Sequence, residues 1–122
     1  MQLEDLRVYT LSMEIGEEIW GYVMNWGFFE KDTLGKQLIR SVDSIALNIA
    51  EGYGRYHFKE TKNFCFIARG SITETRTALK KASARNLITP KNVDELLLKI
   101  DFLHKLLNGF IKSIGTIPPN NQ

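Results

Sequence analysis

The chain has 122 residues, 43% of them hydrophobic and 25% charged, which is one soluble domain with no room for a second core of ordinary size. A formal charge of +2 names no partner by itself, and a single Cys excludes a disulfide framework and a zinc site built on several thiolates. No apolar run reaches the roughly 18 residues that span a bilayer, and the polar opening MQLEDLRVYT is not a signal peptide, so a cytoplasmic location and no membrane partner are expected.

Pro occurs only at Pro90, Pro118 and Pro119, so the body of the chain is nearly free of helix breakers. No useful stretch alternates apolar and polar residues as a strand would. Four amphipathic helices are expected. The first covers about residues 6–25, with Asp5 as N-cap. One of its stripes is Val8, Leu11, Ile15, Ile19, Tyr22 and Trp26; a second, roughly 130° away, is Leu6, Tyr9, Met13, Trp20 and Met24. The second helix covers about 32–53 and is ended by Gly52 and Gly54. Its apolar stripe is Leu34, Leu38, Val42, Ile45 and Ile49, and a polar stripe of Gln37, Ser41, Ser44, Asn48 and Glu51 runs beside it. The third covers about 58–85, with Phe64, Ile67, Ala68, Ser71, Thr75, Ala78 and Ala82 as its inner face. The fourth covers about 90–114, capped by Thr89 with Pro90 at the first helical position. Its core side is Val93, Leu96, Leu97, Ile100, Leu103, Leu107, Ile111 and Ile114, while Leu98, Phe102 and Leu106 lie on another side.

Residues 1–115 therefore read as a single all-α domain, and 116–122 as a flexible tail. Short connections make successive helices antiparallel neighbours, an up-down-up-down four-helix bundle. A monomeric bundle needs one apolar stripe per helix. The second stripes on the first and last helices either cover loop ends in splayed packing or form an oligomer interface through Tyr9, Met13, Trp20, Met24, Leu98, Phe102 and Leu106. The latter predicts a homo-oligomer, with self as partner.

The small net charge hides a segregation. Residues 1–35 hold two bases and seven acids, a net of −5; residues 36–85 hold ten bases and four acids, a net of +6; residues 86–122 add +1. On the third helix Lys62, Arg69, Arg76 and Lys80 form one basic line, which Arg55, Lys59, Lys81 and Arg85 would broaden. Such a line either neutralises successive phosphates of a nucleic acid or is a solvated face, partly neutralised by the acidic first helix. Tyr53, Tyr56 and Phe58 beside Arg55 and Lys59 either stack on unpaired bases or pack a loop onto the bundle end.

The polar stripe of the second helix and Ser71 and Glu74 of the third read as a hydrogen-bonded seam that sets helix register. Ala46, Ala50, Gly70 and Ser71 would let the two helices approach closely. Glu51 and Glu74 are a candidate acid/base pair, but no nucleophile–base pair or metal-ligand cluster accompanies them. His57 and His104 lie far apart without metal-site spacing, Cys65 lacks a base at helical spacing, and Gly52-Tyr53-Gly54-Arg55 lacks the strand-turn-helix context of a phosphate loop. No enzyme activity, metal, cofactor or small-molecule substrate is expected.

The stretch QLIRSVDSIALNIAEGYGR, the later FCFIARGSITET, the opening DLRVY and the final heptads resemble the 23S rRNA intervening-sequence protein family, also called four-helix-bundle proteins. Gln37, Arg40, Ser44, Asn48, Glu51, Gly52, Arg55, Gly70, Ser71 and Glu74 occupy its motif positions. The resemblance implies a bacterial protein that assembles as a ring-like homopentamer, akin to the basic, nucleic-acid-binding accessory protein of diversity-generating retroelements. It attaches no catalytic activity. The expected role is a non-enzymatic accessory factor associated with RNA or a nucleic-acid-processing protein; the rival is a protein-only scaffold that docks through its acidic and basic faces.

Overall fold

The structure is a computed structural model that describes residues 1–116; the expected tail, apart from Thr116, lies outside them. The described residues form four long helical elements and no strand. Helix α1 is Arg7–Met24. The second element begins as an α-turn at Phe28–Glu30, passes through a π-helical turn at Lys31–Gly35 and continues as an α-helix at Lys36–Tyr53; together these are α2. Helix α3 is Phe58–Ala84 and α4 is Pro90–Ser113.

The ends follow local chemistry. The Thr89 side chain accepts a hydrogen bond from the backbone N–H of Asn92, with Pro90 opening the helix. At the end of α3 the Asn86 N–H donates to Ser83 O and the Leu87 N–H to Ala82 O. Asn86 has φ of 60°, so these bonds form a Schellman motif with Asn in the left-handed position. Asp5 is not the cap of α1. Residues Leu3–Asp5 form a separate 3-10 turn, the Asp5 carboxylate accepts from the Gln2 N–H, and Leu6 occupies the cap position.

The core is built from the apolar stripes. On α2, Leu34, Leu38, Val42, Ile45 and Ile49 are all buried, as are Val93, Leu96, Ile100, Leu103, Leu107 and Ile111 on α4. On α1 the stripe is Val8, Leu11, Ile15, Ile19 and Val23. Tyr22, expected in it, is half-buried at its edge, because Val23 takes the inward position. Trp26 is buried just beyond, and its indole N–H donates to Leu87 O at 3.1 Å, tying the first connection to the last. The inward face of α3 differs from the expected one: Ile67 is exposed, whereas Cys65, Ile72 and Leu79 are fully buried. The true stripe steps through Thr61, Cys65, Ala68, Ile72, Thr75, Leu79 and Ala82 at alternating spacings of four and three.

The α2–α3 pair has the most extensive contact, and a glycine makes it close. A Cβ on Gly52 would lie 2.9 Å from Phe64 Cβ and 3.1 Å from Thr61 O. Of the small residues expected to serve this purpose, Ser71 is buried in the contact, 2.8 Å from Ser44 Oγ, and the others stand elsewhere. Gly70 is exposed with nothing within 4 Å of a built Cβ, and Ala46 and Ala50 line the α1–α2 groove.

Candidate interaction surfaces

The polar seam is real but shorter than its stripe. Ser71 Oγ donates to Ser44 Oγ at 2.8 Å, Asn48 Nδ2 donates to Ser44 Oγ at 2.9 Å, and Thr75 Oγ1 lies 2.9 Å from Ser41 Oγ. Ser41 in turn donates to Leu38 O. Among the described residues no buried side-chain N or O lacks a partner, so the buried part of the seam is satisfied internally. Thr75, assigned to the apolar face from sequence, is its innermost member. Gln37, Arg40, Glu51 and Glu74 of the same motif are exposed.

The two carboxylates of the candidate acid/base pair do not meet. Glu51 pairs with Arg55 at the end of α2, next to Gly52 and its neighbours Thr61 and Phe64. Glu74 lies in a surface groove with Gln37 and Arg40. At 1.5 Å per residue, these places are about 15 Å or more apart along α2. Cys65 is buried, and burial pushes its thiol up to about 11, away from nucleophilic use. His104 is half-buried; desolvation, then Arg76 and Arg69, hold its pKa below the usual histidine value. No group of three or more His, Cys, Asp or Glu among the described residues is arranged to hold a metal.

The basic line of α3 divides into tied and untied members. Arg69 donates to the Asn108 side chain at 3.0 Å and lies over the Phe66 ring; Arg76 pairs with Asp101 at 2.8 Å. Both arginines thus dock α3 on α4. Arg55 pairs with Glu51 and lies over the Phe64 ring. The acid that pairs with the line, Asp101, comes from α4, not from the acidic α1, whose Glu18 pairs with Lys99 of α4 and whose Glu14 pairs with Arg7. Lys59, Lys62, Lys80, Lys81 and Arg85 form no ion pair among the described residues, and neither does Arg40 of α2. Arg40 and Lys81 line the same groove between α2 and α3, with Gln37, Thr73, Glu74 and Thr77. An adjoining cleft holds Phe29, Thr33 and Arg85.

Large apolar side chains remain in water. Met13, Trp20 and Met24 are 45%, 50% and 47% exposed along one side of α1; Leu98 and Phe102 are 70% and 51% exposed on α4. Tyr9 and Leu106, from the same expected stripes, are half-buried against the core. At the two bundle ends, Phe28 and Phe29 are 84% and 73% exposed and Tyr56 is 91% exposed. Phe58 packs against Gly115, whose φ is +84°. The Phe28–Phe29 pair was not singled out by sequence, although two adjacent Phe in a Gly-led turn are a readable sign of an exposed aromatic tip. No helix among the described residues is long and apolar enough to cross a membrane.

A family model described as 23S rRNA-intervening sequence protein matches residues 4–109. A crystal structure of a protein of unknown function, from the S23 ribosomal protein family of Bacteroides thetaiotaomicron VPI-5482, is similar with a TM-score of 0.77. That likeness has 24% sequence identity and covers 86% of this chain and 98% of that one, and it is one of fold. No curated protein matches.

Proposed function

The chain belongs to the 23S rRNA-intervening sequence protein family, and from that premise we propose a non-enzymatic bundle protein that self-assembles and serves as an RNA- or ribonucleoprotein-associated accessory factor. The assembled form is the homopentameric ring that the family resemblance implies, in the cytoplasm. The antiparallel up-down-up-down order is supported by paired contacts. Ser41 meets Thr75 and Ser44 meets Ser71; Arg69 meets Asn108 and Arg76 meets Asp101. In each pair one index rises as the other falls.

The observation that carries this reading is the unburied apolar surface of α1 and α4. An aromatic side chain offers roughly 150–250 Å². With half of Trp20 still in water, covering it is worth about 2–3 kcal/mol at about 25 cal/mol per Å². Phe102 adds a similar gain. Native mass spectrometry and light scattering at micromolar concentration test assembly: the wild type forms one closed oligomer, and Trp20→Ser with Phe102→Ser shifts it to monomer. A wild type that stays monomeric overturns it. For RNA, the untied cations of α3 supply the phosphate contacts. Gel shifts over a salt series, with structured RNA, single-stranded RNA and duplex DNA, read them out.

The second reading, a protein-only scaffold, draws on Arg69 and Arg76, whose side chains are already docked on α4 through Asn108 and Asp101. Absence of any salt-dependent shift with all three nucleic acids selects it.

A further inference from the structure

The α2–α3 groove is where this chain keeps its uncommitted cations on both walls. Arg40 stands on α2 and Lys81 on α3, both exposed and both without an ion-pair partner among the described residues. Arg85 follows Lys81 by one turn, about 6 Å further along the axis, and lines the adjoining cleft with Phe29, Glu30 and Thr33. Thr33 and Gln37 are likewise one turn apart on α2, so the cleft continues the groove. On its edge Phe29 presents a nearly bare ring, and Phe28, next to it in the chain, is barer still. Such rings are costly to leave in water and have a face on which any nucleobase can stack.

Taken with the reading that this protein contacts RNA, on which the inference rests, the geometry points to the α2–α3 groove as a track for single-stranded RNA. Arg40, Lys81 and Arg85 neutralise successive phosphates, and an unpaired base stacks on Phe29 or Phe28. Cations aligned with bare aromatic faces suit a single strand; a duplex keeps its bases stacked on one another and offers nothing to the rings. The hydroxyls of Thr73 and Thr77 and the Gln37 amide are donors for phosphate and sugar oxygens, while Thr33 donates its proton to Phe29 O. Glu74 in the groove and Glu30 in the cleft mark the limits of the phosphate path, because a carboxylate repels it. The basic line through Arg69 and Arg76 is thereby relieved of this role, both guanidinium groups being docked on α4 and that of Arg76 neutralised there by Asp101.

The test is fluorescence anisotropy of the full chain with a labelled, unstructured 20-nucleotide RNA and a hairpin duplex RNA, from 50 to 200 mM salt. Arg40→Gln, Lys81→Gln and Arg85→Gln are combined in one variant; Lys91→Gln, Lys105→Gln and Lys112→Gln, all exposed on α4, form a charge-matched control. Removing three phosphate contacts to a single strand should flatten the salt slope by about two and weaken binding about tenfold or more. The control should lose less than about threefold. Phe28→Ser with Phe29→Ser should weaken the single strand about tenfold and leave the duplex unchanged. Glu74→Gln should tighten binding. All positions are exposed, and circular-dichroism melts check that each variant folds.

Equal losses in the two triple variants overturn the groove, as does a duplex bound as tightly as the single strand. Unchanged single-strand affinity in the Phe variant also overturns it and assigns those rings to a protein contact. If the wild type binds RNA and the groove variants do too, only the groove falls. If the wild type binds no RNA, the RNA reading falls with it.

Discussion

Gly52 and Gly70 sit on helices of the same hairpin, and alanine at each should change stability in opposite directions. Alanine in a helix interior is favoured over glycine by about 0.5–1 kcal/mol, because it restricts the unfolded chain. At Gly70 nothing lies within 4 Å of the new Cβ, so Gly70→Ala should stabilise by that amount. At Gly52 the same methyl would meet Phe64 Cβ at 2.9 Å and Thr61 O at 3.1 Å. Neither is the free end of a flexible side chain: one is the root of an aromatic residue and the other is helix backbone. Normal carbon contacts of about 3.5–4.0 Å therefore require α2 and α3 to separate by several tenths of an ångström. Overpacking of this kind costs about 1–3 kcal/mol. Set against the propensity gain, Gly52→Ala should destabilise by about 0.5–2 kcal/mol, roughly 2–8 °C in Tm. Urea titrations of both variants read this directly, with the m-value unchanged if the native state keeps its compactness. A Gly52→Ala protein as stable as wild type would falsify the close-approach argument.

Other features carry their own tests. Thr75→Val removes the contact with Ser41, which still donates to Leu38 O, so no buried group is orphaned and the cost should be about 1 kcal/mol; a loss above about 3 kcal/mol in urea would contradict that accounting. Burial, then the neighbouring Glu17 carboxylate, raises the pKa of Asp43. Its stability contribution is therefore complete below the unfolded value near 3.8 and declines as pH rises through the folded one. Asp43→Asn should be more stable than wild type at pH 7, with the gap closing toward pH 4; a gap that widens on acidification reverses the sign. Cys65, with its thiol pushed up to about 11, should react with a thiol reagent at pH 8 only on the timescale of unfolding, and stability should fall as pH rises above 9; rapid labelling of the native protein would show an accessible thiolate. In Trp26→Phe the remaining Trp20 should become less quenched by acrylamide as protein concentration rises through assembly, whereas concentration-independent quenching would remove Trp20 from the interface.

The core of α1, α2 and α4 was legible because Leu, Ile and Val recur there with one unambiguous helical phase. Only Tyr22, next to Val23, and Leu97, next to Leu96, were misplaced, both being half-buried at the edge of the core. On α3 that contrast is weak. Ala, Ser and Thr lie on two neighbouring faces, so a wheel admits more than one phase, and Ile67 outweighed Cys65 by hydrophobicity alone. The tertiary contact chose the other phase, with Gly52 admitting Phe64 and the seam admitting Thr75. The basic line was read correctly as a line, but its availability was not legible. Whether Arg76 is free depends on Asp101, 25 positions away, and nothing local signals that partner. Arg40 was read with the seam because it shares the motif, whereas its neighbours in space are Lys81 and Thr77. Family membership was the most legible property of all, since it rests on residue identities rather than on contacts.

The π-helical turn at Lys31–Gly35 has a consequence for how this fold tolerates change in length. A π turn holds one residue more than an α turn, and here it lies between the aromatic tip and the first core residues of α2. Gly35 is packed against Val23, with 3.0 Å from a built Cβ to the Val23 side chain, so the core side of the turn is pinned. Loss of one residue from its outer part would restore α geometry and leave Leu34 and Leu38 in place. The same loss would swing Phe28 and Phe29 by about 100° around the helix axis. A single codon gained or lost can thus re-aim what the bundle end displays while its interior is inherited intact.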